Sequence, residues 1–206
     1  MAHRFAEITF TPSVQAAQSQ YNSRETHVKF ESSDQSRDIL TGREIEFIHE
    51  RDGFYQATVG ETGWPYVQFR GGPPGFLKVL DAKTIGYADF RGNRQYVSVG
   101  NMAADDRIAL ILMDYPNRRR LKILGRAKVV HAGENQGLIT HLELSDYRAR
   151  VERAVVIAVE AYDWNCPQHI RPRFTVEDIE GILAPLQQKI ADLEAENAQL
   201  KVGTAS

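Results

Sequence analysis

A chain of 206 residues, 42% hydrophobic and 25% charged, can bury the core of one sizeable domain with an appendage but not of two. Its formal net charge of −2 excludes a general nucleic-acid binder, which needs a large basic excess. A single cysteine, Cys166, excludes an internal disulfide, and no CxxC or HExxH spacing offers a metal site.

No apolar run approaches the ~18 residues that span a bilayer. The opening "MAHRFAEITF" also lacks the pattern of a secretory signal. The expectation is a cytoplasmic protein in a reducing setting, with neither membrane nor nucleic acid as partner.

Residues 1–38 read as a polar arm carrying a short helix near Val14 to Gln20, and the Ser/Asp/Gln content at 32–38 reads as a linker. Thr41 with Glu44 three residues on fits a capping box, and Ile45 and Ile48 share one face, which predicts a short helix. Strand signals follow at 54–60, 66–70, 76–80, 84–90, 107–115, 120–130 and 153–164, rich in Val, Ile and aromatics and punctuated by "GETGWP", "GGPPG" and "YPN". A helix is expected near 133–144. Six or seven strands with short turns and few helices between them predict a mainly β domain over 39–174, an antiparallel barrel.

From residue 175 the pattern becomes helical. Val176, Ile179, Leu183, Leu186, Ile190, Leu193, Asn197 and Leu200 fall at alternating spacings of three and four, the a and d positions of a coiled coil. In a parallel pair, Lys189 would face Glu194 of the second copy and Glu196 would face Lys201. The simpler reading is a solitary amphipathic helix docked on its own domain. Pro185 predicts a kink or restart, leaving about two clean heptads that could seal a dimer made elsewhere.

Three stretches carry possible chemistry. In "RRRLKILGRAKVV" the alternation places Arg120, Lys122, Arg126 and Lys128 on one face. A solvated face explains this most simply, although Arg118, Arg119 and Arg120 together could meet an anion. In "DFRGNRQ", Gly92 permits close backbone approach, Asn93 is a good N-cap for a helix starting at Arg94, and Arg94 adds a fixed charge. That combination suits a phosphate monoester; a capped surface turn accounts for it equally. "RGGPPGF" reads as a wide hairpin loop, or as a surface that a planar ligand could approach.

Taken in order, "GWPYVQFRGGPPGFLKVLD", "IGYADFRGNRQYVSVGN", "RIALILMDY" and "RRRLKILGRAKVV" resemble the pyridoxamine 5'-phosphate oxidase-like, FMN-binding split-barrel family, in its flavin-nucleotide-binding branch. The likeness runs from roughly residue 40 to 172. It implies a homodimer of split barrels with FMN held at the subunit interface. By that resemblance Arg94, helped by Asn93, would hold the flavin phosphate, with Asp89, Phe90 and Gln95 in the same motif. Gln95 replaces the motif's lysine, so Arg119 or Arg120 is the candidate for a second cation, Arg120 coming from the partner subunit. Arg70 matches the arginine opening another family strand loosely, with "GGPPG" interrupting that motif from Gly71, a further cofactor-binding candidate, and Lys78 falls near the family's substrate-binding lysine. The oxidase's C-terminal signature is replaced by Trp164, Cys166, Gln168 and His169.

The resemblance thus implies an oxidoreductase of unknown small-molecule substrate, reduced by NAD(P)H or by a protein partner. A non-catalytic flavin carrier or sensor is the alternative, as is a haem- or deazaflavin-binding member of the same barrel. No residue stands out as catalytic. Cys166 and His169 read as part of a turn rather than a nucleophile pair, and His49 and His141 as ordinary surface or packing residues.

Overall fold

Seven strands form one antiparallel sheet: β1 (Gly53–Val59), β2 (Pro65–Gly71), β3 (Leu77–Asp81), β4 (Thr84–Phe90), β5 (Arg107–Asp114), β6 (Arg119–His131) and β7 (Val151–Trp164). In this computed structural model, residues 3–32 and 36–203 are described. Residues 33–35 of the expected linker lie outside the described residues, as does the side chain of Lys201. Contacts divide the chain into two units, 1–114 with 119–167, and 115–118 with 168–206.

The strand order is β2-β1-β5-β6-β7-β4-β3, so β2 and β3, consecutive in sequence, are the two outermost strands. Only residues 72–76 join them, at most about 18 Å of extended chain. The sheet must therefore curl until its edges approach, which is the form of a split barrel. This corrects the reading of "GGPPG" as a hairpin loop: it crosses between sheet edges. Gly75 takes a φ of 83°, a conformation that costs other residues, and the Phe76 N–H donates back to the Pro73 carbonyl at 3.0 Å.

Contacts across the curled sheet make the core. Phe54 of β1 stacks on Phe76 with centroids 5.6 Å apart and meets Tyr87 of β4 edge-on at 5.4 Å. The Tyr87 hydroxyl donates to Gln56 Oε1 at 2.6 Å. Leu77, Leu112, Leu121, Ile123 and Ile157 are fully buried around them, each contributing about 1.5–3 kcal/mol. β6 alternates as expected, with Leu121, Ile123 and Ala127 buried, and the alternation persists to Lys128 although its pairing with β7 shifts between Leu124 and Gly125. A side chain at Gly125 would put its Cβ 2.5 Å from the Ala158 carbonyl oxygen.

Among the described residues of the first unit, six helices accompany the sheet. The arm holds α1 (Arg4–Thr9), α2 (Pro12–Gln20) and α3 (Arg24–Glu31); only the second is legible in its sequence. Phe5 of α1 is buried, with the Lys122 ammonium 4.7 Å from its ring centroid. The capping box holds at α4 (Gly42–His49), where the Thr41 N–H donates to Glu44 Oε2 at 3.1 Å. α5 (Val97–Ala104) follows β4, and α6 (Gln136–Leu142) lies where a helix was expected.

The second unit contains α7 (Val176–Gly203), which is continuous through Pro185. The expected restart is absent. The proline removes one helix N–H and sets its ring against the carbonyl of Gly181, four residues back, yet the helix runs on through both.

Candidate anion-binding notch at the end of the fourth strand

β2, β4 and the start of β7 bring three charged residues together. Arg70 donates through Nη1 to Asp89 Oδ1 at 2.9 Å, and Arg153 through Nη1 to Asp89 Oδ2 at 3.2 Å. The antiparallel register sets Asp89 opposite Arg153. Asp89 is buried, and burial pushes its carboxyl above the usual aspartate range although both guanidiniums draw it down. Arg153 is held again by Glu152 at 2.5 Å and lies 4.9 Å from the Tyr96 ring centroid.

Above this network the chain leaves β4 through residues 91–96. The Asn93 side chain accepts from the Gln95 N–H at 3.1 Å, closing a turn on itself. Arg94 and Tyr96 are left-handed, with φ of 64° and 55°. The helix therefore starts at Val97, with Tyr96 as its N-cap. This corrects the expectation that Asn93 caps a helix beginning at Arg94: two left-handed residues intervene, and Asn93 closes the turn before them.

The result is a notch of about 40 Å³ lined by Tyr66, Gln68, Arg70, Asp89, Phe90, residues 92–99, Glu152 and Arg153. Its charged lining is three arginines (70, 94, 153) against two carboxylates (89, 152), a net of +1. Arg70 and Arg153 are spent on Asp89, while Arg94 is exposed and without an ion-pair partner among the described residues. The first N–H groups of an α-helix have no intrahelical acceptor, and the first-turn residues Val97, Ser98 and Val99 of α5 line this notch, at the positive end of the helix dipole. Ser98 is buried, its hydroxyl donating to Gln68 Oε1 at 2.9 Å.

Of the residues singled out in the sequence, Arg70, Asp89, Phe90, Asn93, Arg94 and Gln95 meet here. Gly71 ends β2 outside the lining. Lys78 lies in a separate cavity, its ammonium donating to the carbonyls of His141 and Glu143 at 2.6 and 3.1 Å. Arg119 pairs with Asp114 at 2.7 Å, and Arg120 is half-buried with an unpartnered Nε among the described residues. Trp164 donates through Nε1 to Glu44 Oε1 at 2.6 Å, beneath the Arg43 guanidinium.

These last three are far from the notch within one chain. Along β7, Arg153 pairs with Asp89 and Trp164 with Leu121, eleven residues apart, which is roughly 35 Å of strand. Gln168 and His169 are exposed and belong to the second unit. Arg153, Glu152, Gln68 and Ser98 were missed, because only the pairing of β4 with β7 and the curl of the sheet carry them to this place.

The volume decides what fits. Pockets that enclose whole small-molecule ligands run to roughly 300–1,000 Å³, and a few waters or one small anionic group fill 40 Å³. The notch suits a terminal phosphoryl group, with Arg94 and the α5 N–H groups as donors. An isoalloxazine ring would lie outside it.

Known structures are similar to this chain. HupZ of Group A Streptococcus is 17% identical over 66% of this chain and all of that one, with a TM-score of 0.50. A pyridoxamine 5'-phosphate oxidase-related protein from Lactobacillus delbrueckii is 21% identical over 61% of this chain and 94% of that one, with a TM-score of 0.47. An FMN-binding protein from Syntrophomonas wolfei is 10% identical over 72% and 97%, also at 0.47. No curated protein matches the sequence. The sequence profile described as pyridoxamine 5'-phosphate oxidase matches residues 40–165, well over half of the chain, and with the curled seven-stranded sheet this means that the chain belongs to the pyridoxamine 5'-phosphate oxidase family.

Proposed function

We propose that the protein binds FMN and serves as a flavin-dependent oxidoreductase for a small molecule, taking electrons from NAD(P)H or a protein donor. The observation that carries this reading is the meeting of an unpaired Arg94 with the free N–H end of α5 in a notch of phosphoryl size. Arg94 and the first-turn N–H groups hold the phosphate; Arg70 and Arg153, fixed by Asp89, keep the notch floor positive and rigid. Bound flavin supplies the hydride or electron chemistry, and the chain supplies position and charge.

A second copy of the chain completes the site. Support comes from the notch, which holds only one end of the cofactor, and from the outer face of β1 and β2. There Tyr55, opposite Phe69, and Val67 stand 39%, 57% and 61% exposed, an apolar patch of the kind that subunit interfaces cover. In such a dimer Arg120 reaches the cofactor of the other subunit.

One feature favours a non-catalytic carrier as the second reading. Both carboxylates of the notch are engaged by arginine, leaving no unpaired acid or base there among the described residues. Anaerobic NAD(P)H separates the two: bleaching of bound flavin during turnover supports the oxidoreductase, and a stable oxidised spectrum supports the carrier. The test of the shared reading is the absorbance spectrum of freshly purified protein with mass analysis of the released ligand. FMN is expected; haem or a deazaflavin would replace the proposal.

A further inference from the structure

Independently of what the barrel binds, we infer that α7 pairs with α7 of a second copy as a parallel, in-register, two-stranded coiled coil. The helix is 28 residues without a break, roughly 42 Å long. Its a and d positions carry one stripe: Val176, Leu183, Ile190 and Asn197 at a, and Ile179, Leu186, Leu193 and Leu200 at d. The apolar members of that stripe are all 42% or more exposed. An uncovered stripe of this kind gives a helix little stability of its own, because most helical stability in water comes from packing an apolar face.

Continuity through Pro185 extends the stripe from two heptads to four. Pro185 falls at position c, on the outer side, so it does not interrupt the seam. Three features select the partner. Ile190 at a with Leu186 and Leu193 at d suits two strands in parallel. Parallel pairing also sets Lys189 at g against Glu194 at e of the other helix, an attractive pair. Asn197 fixes the register: in a parallel pair the two amides meet and hydrogen-bond each other. In an antiparallel pair an a residue packs against a d residue, here always Ile or Leu, and the amide is buried unpaired.

Proximity tests this in the full-length protein. In a Cys166→Ala background, Leu186→Cys and Leu193→Cys are made separately, with Gln188→Cys at the outward f position as control. Under mild oxidation both d-position variants should form disulfide-linked dimers about tenfold faster than the control. No antiparallel register brings both residue 186 and residue 193 beside their own copies, since the two lie roughly 10 Å apart along the axis. Fast linkage at only one d position, or rates equal to the control at both, overturns the inference; the latter is the result for a tail docked on its own barrel. Lys189→Glu should slow linkage at residue 193 about twofold or more at low salt, and adding Glu194→Lys should restore it. Unchanged rates across that series would also overturn the parallel arrangement.

Discussion

Replacing Arg94 with glycine separates the binding role of this residue from its place in the fold. Arg94 makes no ion pair among the described residues, so its removal strands no carboxylate. Its φ of 64° costs an L-residue roughly 1–2 kcal/mol, which glycine avoids at an entropic cost of roughly 0.5–1 kcal/mol. Stability should therefore stay level or rise by up to about 1.5 kcal/mol, a few degrees in melting temperature. Binding should behave differently. A hydrogen bond to a charged group contributes about 1.5–3 kcal/mol, so FMN affinity should fall roughly 10- to 150-fold, with the lower end favoured because the guanidinium is exposed. Titration followed by flavin fluorescence measures the affinity, and a thermal melt of the same sample measures the fold. An affinity within twofold of the parent, in a protein that melts normally, would refute the phosphate role of Arg94.

Three further outcomes test the frame that holds the notch. Gly125→Ala should cost about 1–3 kcal/mol, because the Ala158 carbonyl 2.5 Å from the new Cβ is backbone and cannot rotate away; a denaturant midpoint equal to the parent would refute the bulge argument. Leu142→Ala should cost about 2–5 kcal/mol by the same assay, as Leu142 is fully buried beneath β4 and β7. Glu44→Gln should destabilise by about 1–3 kcal/mol at neutral pH and alter Trp164 fluorescence. Burial alone would raise the Glu44 carboxyl, but bonds from Thr41 and Trp164 hold it below its ordinary 4.5. A depressed folded-state value means stability present above that ordinary value and lost as pH falls through the depressed one. The gap between parent and variant should thus be full above pH 4.5 and narrow on further acidification; a gap independent of pH would contradict this.

All seven strands could be read from β-branched and aromatic runs between turn residues, most within a residue or two of their ends. Thr41 and Glu44 likewise announced α4, since a capping box is a local device. What stayed hidden is long-range. Nothing in "GGPPG" says that it joins the two edges of a curled sheet, because edge pairing is decided by strands far away in sequence. The arm hid α1 and α3 in short, weakly periodic segments. At the site, Arg94 and Gly92 were legible as a charged turn. Asn93 misled because the same side chain that caps helices also closes turns, and two left-handed residues then delayed α5 to Val97. Arg153 and Glu152 were invisible: Arg153 meets Asp89, 64 residues away, only through the β4–β7 register, and Glu152 enters the site by pairing with Arg153.

The central claim is that this chain grips a flavin by its phosphate, and one comparison reaches it directly: equilibrium binding of FMN against riboflavin, identical but for the phosphoryl group, to ligand-free protein at low salt. The account predicts that FMN binds at least tenfold more tightly and that the advantage shrinks as ionic strength rises. Equal affinities for the two ligands, or no uptake of either, would contradict it.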